Sequence, residues 1–218
     1  MFDTERGPAE SGVVVNRDAE AAVRGRCEAG DWEGAVNETL RLLGSELFGY
    51  LVALHHDEND AGDAFARCSE RLWRGLPRFQ WECSLRTWAY RLARSASVDQ
   101  FRAEGAVARR AVPLSDCPEV AAMVARVRSE TSPYLRTGSR DVIANLRRSL
   151  PETDQTLLIL RLDKKLAFSE IARVFAEGGA DAETIARESA RLRKRFQLAR
   201  ERLLALGRQH GLLPRKVG

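Results

Sequence analysis

The sequence is short of several things, and each shortage excludes a class of protein. No window of its 218 residues approaches 18 uninterrupted apolar residues, so a membrane-spanning helix is excluded. The first ten residues, MFDTERGPAE, lack a basic stretch followed by an apolar one, so no secretory signal is read and a cytoplasmic location is expected. Only four cysteines occur, at 27, 68, 83 and 117, with no CxxC pair. The three histidines, at 55, 56 and 210, are not at ligand spacing to them. Free thiols and no structural metal are expected. Gly-rich phosphate loops and GxSxG are absent. No catalytic residue and no cofactor is read, and an enzyme is not expected. β-Branched runs are nearly missing too; Val13–Val15 is the only one.

Lysine is scarce: 4 of 35 cationic residues, the rest being arginine. Arginine makes planar, bidentate contacts to phosphate and guanine, which suits nucleic acid. A GC-rich genome would give the same ratio, but it would not explain how charge is distributed. Residues 1–70 hold 6 basic and 15 acidic side chains, a net of −9, and residues 71–218 a net of +13. Such polarity points to a nucleic-acid surface in the later part and a different partner, or none, for the first.

Apolar residues recur at helical spacing from about residue 18, and the fold class read is all-α: two small helical domains joined by a flexible linker. Residues 1–17 read as a disordered leader. In 18–103, a short helix ends near Gly30 and Asp31 caps the next. That helix carries Trp32, Val36, Leu40, Leu43, Leu47, Tyr50, Leu51 and Leu54 on one face. His55 and His56 fall in a polar break, Asp60 is read as the cap of a third helix, 74–84 as a loop, and Ser84 as the cap of a helix over 85–103. Residues 104–139 read as a linker with a short helix at 119–130. The second domain, 140–207, begins with a helix over 140–149; Pro151 then suits the first turn of another, ending near Lys164. Residues 168–177 form the next helix. GGAD at 178–181 is a turn with Asp181 as cap, and a long helix follows. Ile185, Ser189, Leu192, Phe196, Ala199, Leu203 and Leu206 keep its 4-3 spacing. Residues 208–218 are a tail.

Two constellations carry chemistry. The last two helices form a helix-turn-helix, whose second helix enters the DNA major groove. Residues 185–202 hold seven Arg/Lys and two Glu. With Leu192 inward, rotation of about 100° per residue turns Arg187, Arg191, Lys194 and Gln197 outward, with Arg193 and Arg195 flanking and Arg200 further along. An amphipathic helix with a solvated basic face gives the same pattern. The second constellation is aromatic: Trp73, Phe79, Trp81, Trp88, Tyr90 and Phe101, interleaved with Arg74, Arg78, Arg86, Arg91, Arg94 and Arg102. Basic grooves lined with aromatics bind single strands, because every base offers a stacking face, and can hold a flipped base. Trp88 and Trp73 read as core, whereas Phe79 and Trp81, in a loop beside Pro77, read equally as core or as contact residues.

With these residues in view, DAGDAFARCSERLWRGLPRFQWECSLRTWAYRLARSASVDQFR (60–102) resembles region 2 of bacterial sigma-70-family factors of the extracytoplasmic-function type. RLWRGLPRF and SLRTWAYRLAR are its most specific parts. LPETDQTLLILRLDKKLAFSEIARVFA (150–176) and RLRKRFQLARERLLAL (191–206) are similar to region 4 of the same family. The resemblance implies a factor that binds core RNA polymerase, recognises −35 and −10 promoter elements and assists melting. It implies clamp contact by Asp60, Asp63, Arg67, Arg71, Leu72 and Trp73. It also implies contact with duplex and melted −10 DNA by Arg78, Phe79, Gln80, Trp81, Arg86, Tyr90, Arg91 and Arg94, with the loop Phe79–Cys83 capturing an extruded base. The −35 element and the polymerase flap would meet the helix-turn-helix. An anti-sigma factor and a monomeric state are expected of such a factor. The chain departs from the pattern twice. Ala66-Arg67 stands where many members have Gln-Glu, and the helix-turn-helix is longer by about two helical turns, so the recognition helix either starts early or follows an extra turn. An autonomous helix-turn-helix regulator and a polymerase-binding decoy without melting are the alternatives.

Overall fold

The computed structural model describes residues 17–103, 118–135, 145–176 and 178–212, and among them it is helical with no strand. Residues 1–16 of the expected leader, 104–117 and 136–139 of the expected linker, the first half of the expected helix at 140–149, residue 177 and the last six residues lie outside the described residues.

The first helix, α1 (Arg17–Glu28), stops at Gly30, which takes φ 74°, and Asp31 then accepts from the Gly34 N–H at 2.9 Å to start α2 (Trp32–His55). The apolar stripe of α2 is the centre of the molecule: Val36, Leu40, Leu43, Leu47, Tyr50, Leu51 and Leu54 are all buried. The helix ends at His56, whose left-handed backbone (φ 60°) returns its N–H to Val52.

The third helix, α3 (Glu58–Gly75), is capped by Asp57, whose carboxylate accepts from the Asn59 and Asp60 N–H groups. Asp60, expected as the cap, sits one turn inside. The difference is one of geometry: Asp57 keeps extended backbone (φ −132°, ψ 134°), which frees its side chain to fold over the turn. A 3₁₀ turn (Leu76–Arg78) leads into the loop, and Ser84 accepts from the Thr87 N–H at 3.1 Å to start α4 (Leu85–Ala103).

The expected short helix is α5 (Pro118–Leu135). It lies along α2 with Val120, Val124 and Val127 inward. The two helices meet so closely at Gly44 that a Cβ there would stand 2.8 Å from Val127 Cγ2.

Pro151 then opens α6 (Glu152–Leu158), which widens into a π turn (Ile159–Asp163), with the Lys164 N–H reaching back to Ile159 O at 3.0 Å. In α7 (Phe168–Phe175), Glu170 accepts from the Ala167 N–H at 2.7 Å and closes an N-terminus whose capping residue has no polar side chain. The turn passes Gly178 (φ 93°), and Asp181 accepts from the Thr184 N–H at 2.7 Å to start α8 (Ala182–Gln209). At 28 residues α8 is one unbroken helix about 42 Å long. Of the two ways to accommodate the extra turns, it takes the early start.

The two helical blocks do not stand apart. α7 packs along α4, and α6 with its π turn meets α2. Leu157–Leu160, Leu166, Ile171 and Ala172 share one continuous core with Leu47, Leu85, Trp88 and Ala89.

Candidate nucleic-acid interface

Two basic regions come out of this architecture, and their electrostatics differ. The first is the loop between α3 and α4 together with the outward face of α4. Its shape is imposed by α1, far away in sequence. Glu20 accepts from the Leu85 N–H at 2.8 Å, supplying a charged cap to α4 alongside Ser84. The Arg24 guanidinium lies 5.6 Å over the Trp81 ring. Trp81 adopts φ 59°, a conformation that a bulky residue holds only when its surroundings enforce it. Phe79 stacks on Trp88 with centroids 4.5 Å apart and tilts onto Trp81 at 4.8 Å. The result is a three-ring cluster with Trp88 as its buried base and Phe79 and Trp81 half-exposed above it. Arg78 and Gln80 are exposed beside it.

A cleft of about 340 Å³ opens next to this cluster. Arg78, Phe79 and Arg91 line one side, and Arg173, Gly179 and Ala180 of the α7–α8 corner line the other. Arg173 was not among the residues singled out from sequence. It lies on α7, 95 residues from Arg78, and no local pattern joins them.

Four expected contact residues are placed differently. Arg86 is buried, its side chain 9% exposed, and its guanidinium is paired with Glu46 of α2. Tyr90 is fully buried and its hydroxyl donates to the same carboxylate at 2.8 Å. Burial and the neighbouring Glu46 charge push the Tyr90 phenol far above its usual range, and burial does the same to Tyr50. Leu72, expected at the polymerase, has no exposed surface because it faces the core of its own helix pair. Arg94 is half-buried with its guanidinium 4.3 Å over the Phe175 ring. The correction has one physical reason. These side chains point at helices of the same chain, so in this conformation they brace the fold. Glu46, the acid that gathers Arg86 and Tyr90, gave no sequence signal at 40 residues' distance.

Around α3, Asp63 is exposed and Asp60, Arg67 and Trp73 are half-buried. Arg71 ties α3 to α4 through Asp99 and through Ser95 at 2.8 Å. The two histidines at the end of α2 are half-buried. His55 stacks on Phe101 at 4.3 Å and meets Ser97 Oγ at 2.8 Å. His56 Nε2 donates to Gln155 Oε1 at 3.1 Å. Burial lowers both imidazole pKa values. Burial pushes the Cys68 thiol up to about 12 and raises Cys27 and Cys83, which keeps these free thiols protonated.

The second basic region is the outer face of α8. Ile185, Ser189, Leu192, Phe196 and Ala199 are buried, in the expected register. That turns Arg187, Arg191, Arg193, Lys194, Gln197 and Arg200 to solvent, with the Arg191 side chain 74% exposed. Arg195 departs from this set. Asp154 of α6, its side chain 3% exposed, accepts from Arg195 Nε at 2.6 Å and from Arg202 at 3.2 Å. Arg195 therefore locks α8 to α6. Phe168 and Phe196 meet edge-on at 5.7 Å and fix the crossing of α7 over α8.

The described residues thus present two cationic surfaces, an aromatic, arginine-lined loop on one helical half and the outer face of α8 on the other. Residues 39–107 match the family model for Sigma-70 region 2. That match runs from Thr39 within α2 through α3, the aromatic loop and α4, and it supports a sigma-70-family factor with a role in transcription initiation. No curated protein matches the chain. No helix among the described residues is long and apolar enough to cross a membrane.

Proposed function

We propose that the chain is a promoter-specificity subunit of the extracytoplasmic-function type, which binds core RNA polymerase, recognises −35 and −10 elements and helps melt the promoter. The observation that carries this reading is the three-ring cluster of Phe79, Trp81 and Trp88, beside Arg78 and Arg91, inside the stretch that matches region 2. An extruded base loses a few kcal/mol of stacking, and a half-exposed aromatic ring restores it. The solvent-facing Arg187, Arg191, Lys194 and Gln197 of α8 are the residues assigned to the −35 duplex, where Arg and Gln read base edges and Lys holds phosphate. Asp60, Asp63, Arg67 and Trp73 of α3 are assigned to the polymerase clamp, and the helix-turn-helix to the flap. The chain acts without a cofactor and performs no chemistry of its own. It works as a monomer in the cytoplasm, and an anti-sigma factor is its expected antagonist.

Reconstitution with core polymerase tests the reading. Gel filtration is expected to show a stoichiometric complex, and run-off transcription on genomic fragments to give discrete start sites. Complex formation without transcripts would favour a decoy. No complex, with tight duplex binding by the free chain, would favour an autonomous regulator. Trp81→Ala is expected to slow open-complex formation while leaving −35 binding intact, and equal loss of both would remove Trp81 from the melted strand.

A further inference from the structure

The cleft beside Phe79 gathers cations that no carboxylate of the chain neutralises. Arg78 comes from the 3₁₀ turn, Arg91 from α4 and Arg173 from α7, and all three line the same space. Their neighbours are engaged: Arg86 with Glu46, Arg71 with Asp99, Arg94 with the Phe175 ring. Among the described residues, the side chains of Arg78, Arg91 and Arg173 make no ion pair, hydrogen bond or ring contact. The charges of Arg91 and Arg173 both bear on the Cys83 thiol, which lies in the cleft as well, so guanidiniums from two helices converge on one point. Glu82 is the one carboxylate among the described lining residues, against three guanidiniums. Arg91 and Arg173 are half-buried, and like charges held together in a cleft focus a field on an anion.

The space suits one small molecule. Its volume of about 340 Å³ falls at the lower end of the range for small-molecule sites, roughly 300–1,000 Å³. One part of the wall is apolar, from Phe79, Leu92, Ala176 and Ala180. At Gly178, on the same rim, a Cβ would meet nothing within 4 Å, so a ligand can come close to the backbone there. Guanidiniums take phosphate oxygens in pairs, and aromatic and aliphatic side chains take the face of a base. A simple phosphate would leave the apolar wall unused, and an uncharged aromatic would leave the arginines without a counter-charge.

We propose that this cleft binds a free nucleotide of the nucleoside 5′-diphosphate class, with its phosphates on Arg78, Arg91 and Arg173 and its base against Phe79 and Leu92. The site is built from both helical halves as they are packed and needs no movement of the core between them. It goes beyond the promoter-subunit reading, which assigns no role to Arg173.

Titration calorimetry of the full chain with GDP and with ADP tests it. Saturable one-to-one binding of at least one of them is expected. Arg173→Ala should weaken it roughly tenfold or more, the loss of a charge-assisted phosphate contact. Arg173→Lys keeps the charge without the paired contact and should fall between. Arg126→Ala, which removes an exposed arginine of α5, should change nothing. If Arg173→Ala does not fold, Arg91→Gln carries the same expectation. Cys83 gives a reading on the unaltered chain: bound nucleotide should slow its labelling by a maleimide, located by peptide mass spectrometry. Absence of binding and of protection with both nucleotides overturns the proposal, as does equal binding by Arg173→Ala. Inorganic pyrophosphate binding as tightly as GDP overturns it too, because the base would then contribute nothing. So does a single-stranded oligonucleotide that binds through Arg173 when neither free nucleotide binds, which would give the cleft to a strand.

Discussion

The α4 face and the α8 face are both rich in arginine, yet they use it in opposite ways. On α4, Arg86 is enclosed with Glu46 and Tyr90, Arg94 lies over Phe175, and Asp99 holds Arg71 of α3. On α8, Arg187, Arg191, Arg193, Lys194 and Arg200 face solvent, Arg193 also lying 5.5 Å over the Phe168 ring, and Asp154 holds Arg195 and the still exposed Arg202. A count of cations along the chain treats the two faces alike. What separates them is whether an acid from a distant helix has been brought underneath. On α4 the cations hold helices together, whereas on α8 they leave a field for an anionic partner.

The contrast is broken most directly at Glu46. Glu46→Ala leaves Arg86 buried without its carboxylate and removes the Tyr90 acceptor. Loss of about 3 kcal/mol is expected, a fall in Tm of roughly 6–12 °C by calorimetry. A fall of under 2 °C would mean that the α4 cations are as independent as those of α8. Asp154→Ala should have a smaller effect, about 1–2 kcal/mol in urea denaturation, because Arg195 and Arg202 are partly exposed and regain water.

Acid sharpens the comparison by a different route. His55 faces Asp57, Asp60, Ser97 and the neighbouring His56; His56 faces Gln155, Arg147 and Arg148. Burial lowers both in the folded chain, so the unfolded chain takes up protons first as pH falls through about 6.5. Stability is therefore complete above that pH and declines below it, down to the folded pKa values. Tm at pH 5.5 should lie below Tm at pH 7.5, and the gap should shrink in His55→Gln/His56→Gln. A gap of unchanged size would move the effect to other groups. The least effect on stability is expected on α8. Arg191→Ala/Lys194→Ala should leave Tm within about 2 °C while lowering the log–log salt slope of duplex binding by about 1.8. A slope that stays put would take both residues off the phosphates.

Much of the fold was legible because it is written locally. Helix caps at Asp31, Ser84 and Asp181 act over three residues, and the 4-3 stripe of α8 sets its buried face directly. The cap at Asp57 is not legible in the same way, because Asp57 and Asp60 offer the same chemistry and differ only in backbone angle. The candidate site was legible as a composition and not as a surface. Arg78, Phe79 and Arg91 do line the cleft and Trp81 packs on Phe79, but which arginines face outward depends on Glu46, Asp99 and Asp154. Those pairings span 28 to 48 residues and leave no periodic trace. The support of the loop by Glu20, 65 residues away, is hidden for the same reason.

That separation along the chain also sets a timetable for synthesis. The contact between Arg86 and Lys164 joins residues 78 apart. A ribosome adding roughly 5–20 residues per second needs roughly 4–16 s to make the second after the first. Helices α1 to α4 can assemble in that interval, since Glu20 and Glu46 precede their partners. The first-made helices therefore form their aromatic loop on the ribosome while the helices that pack on α4 are still being synthesised.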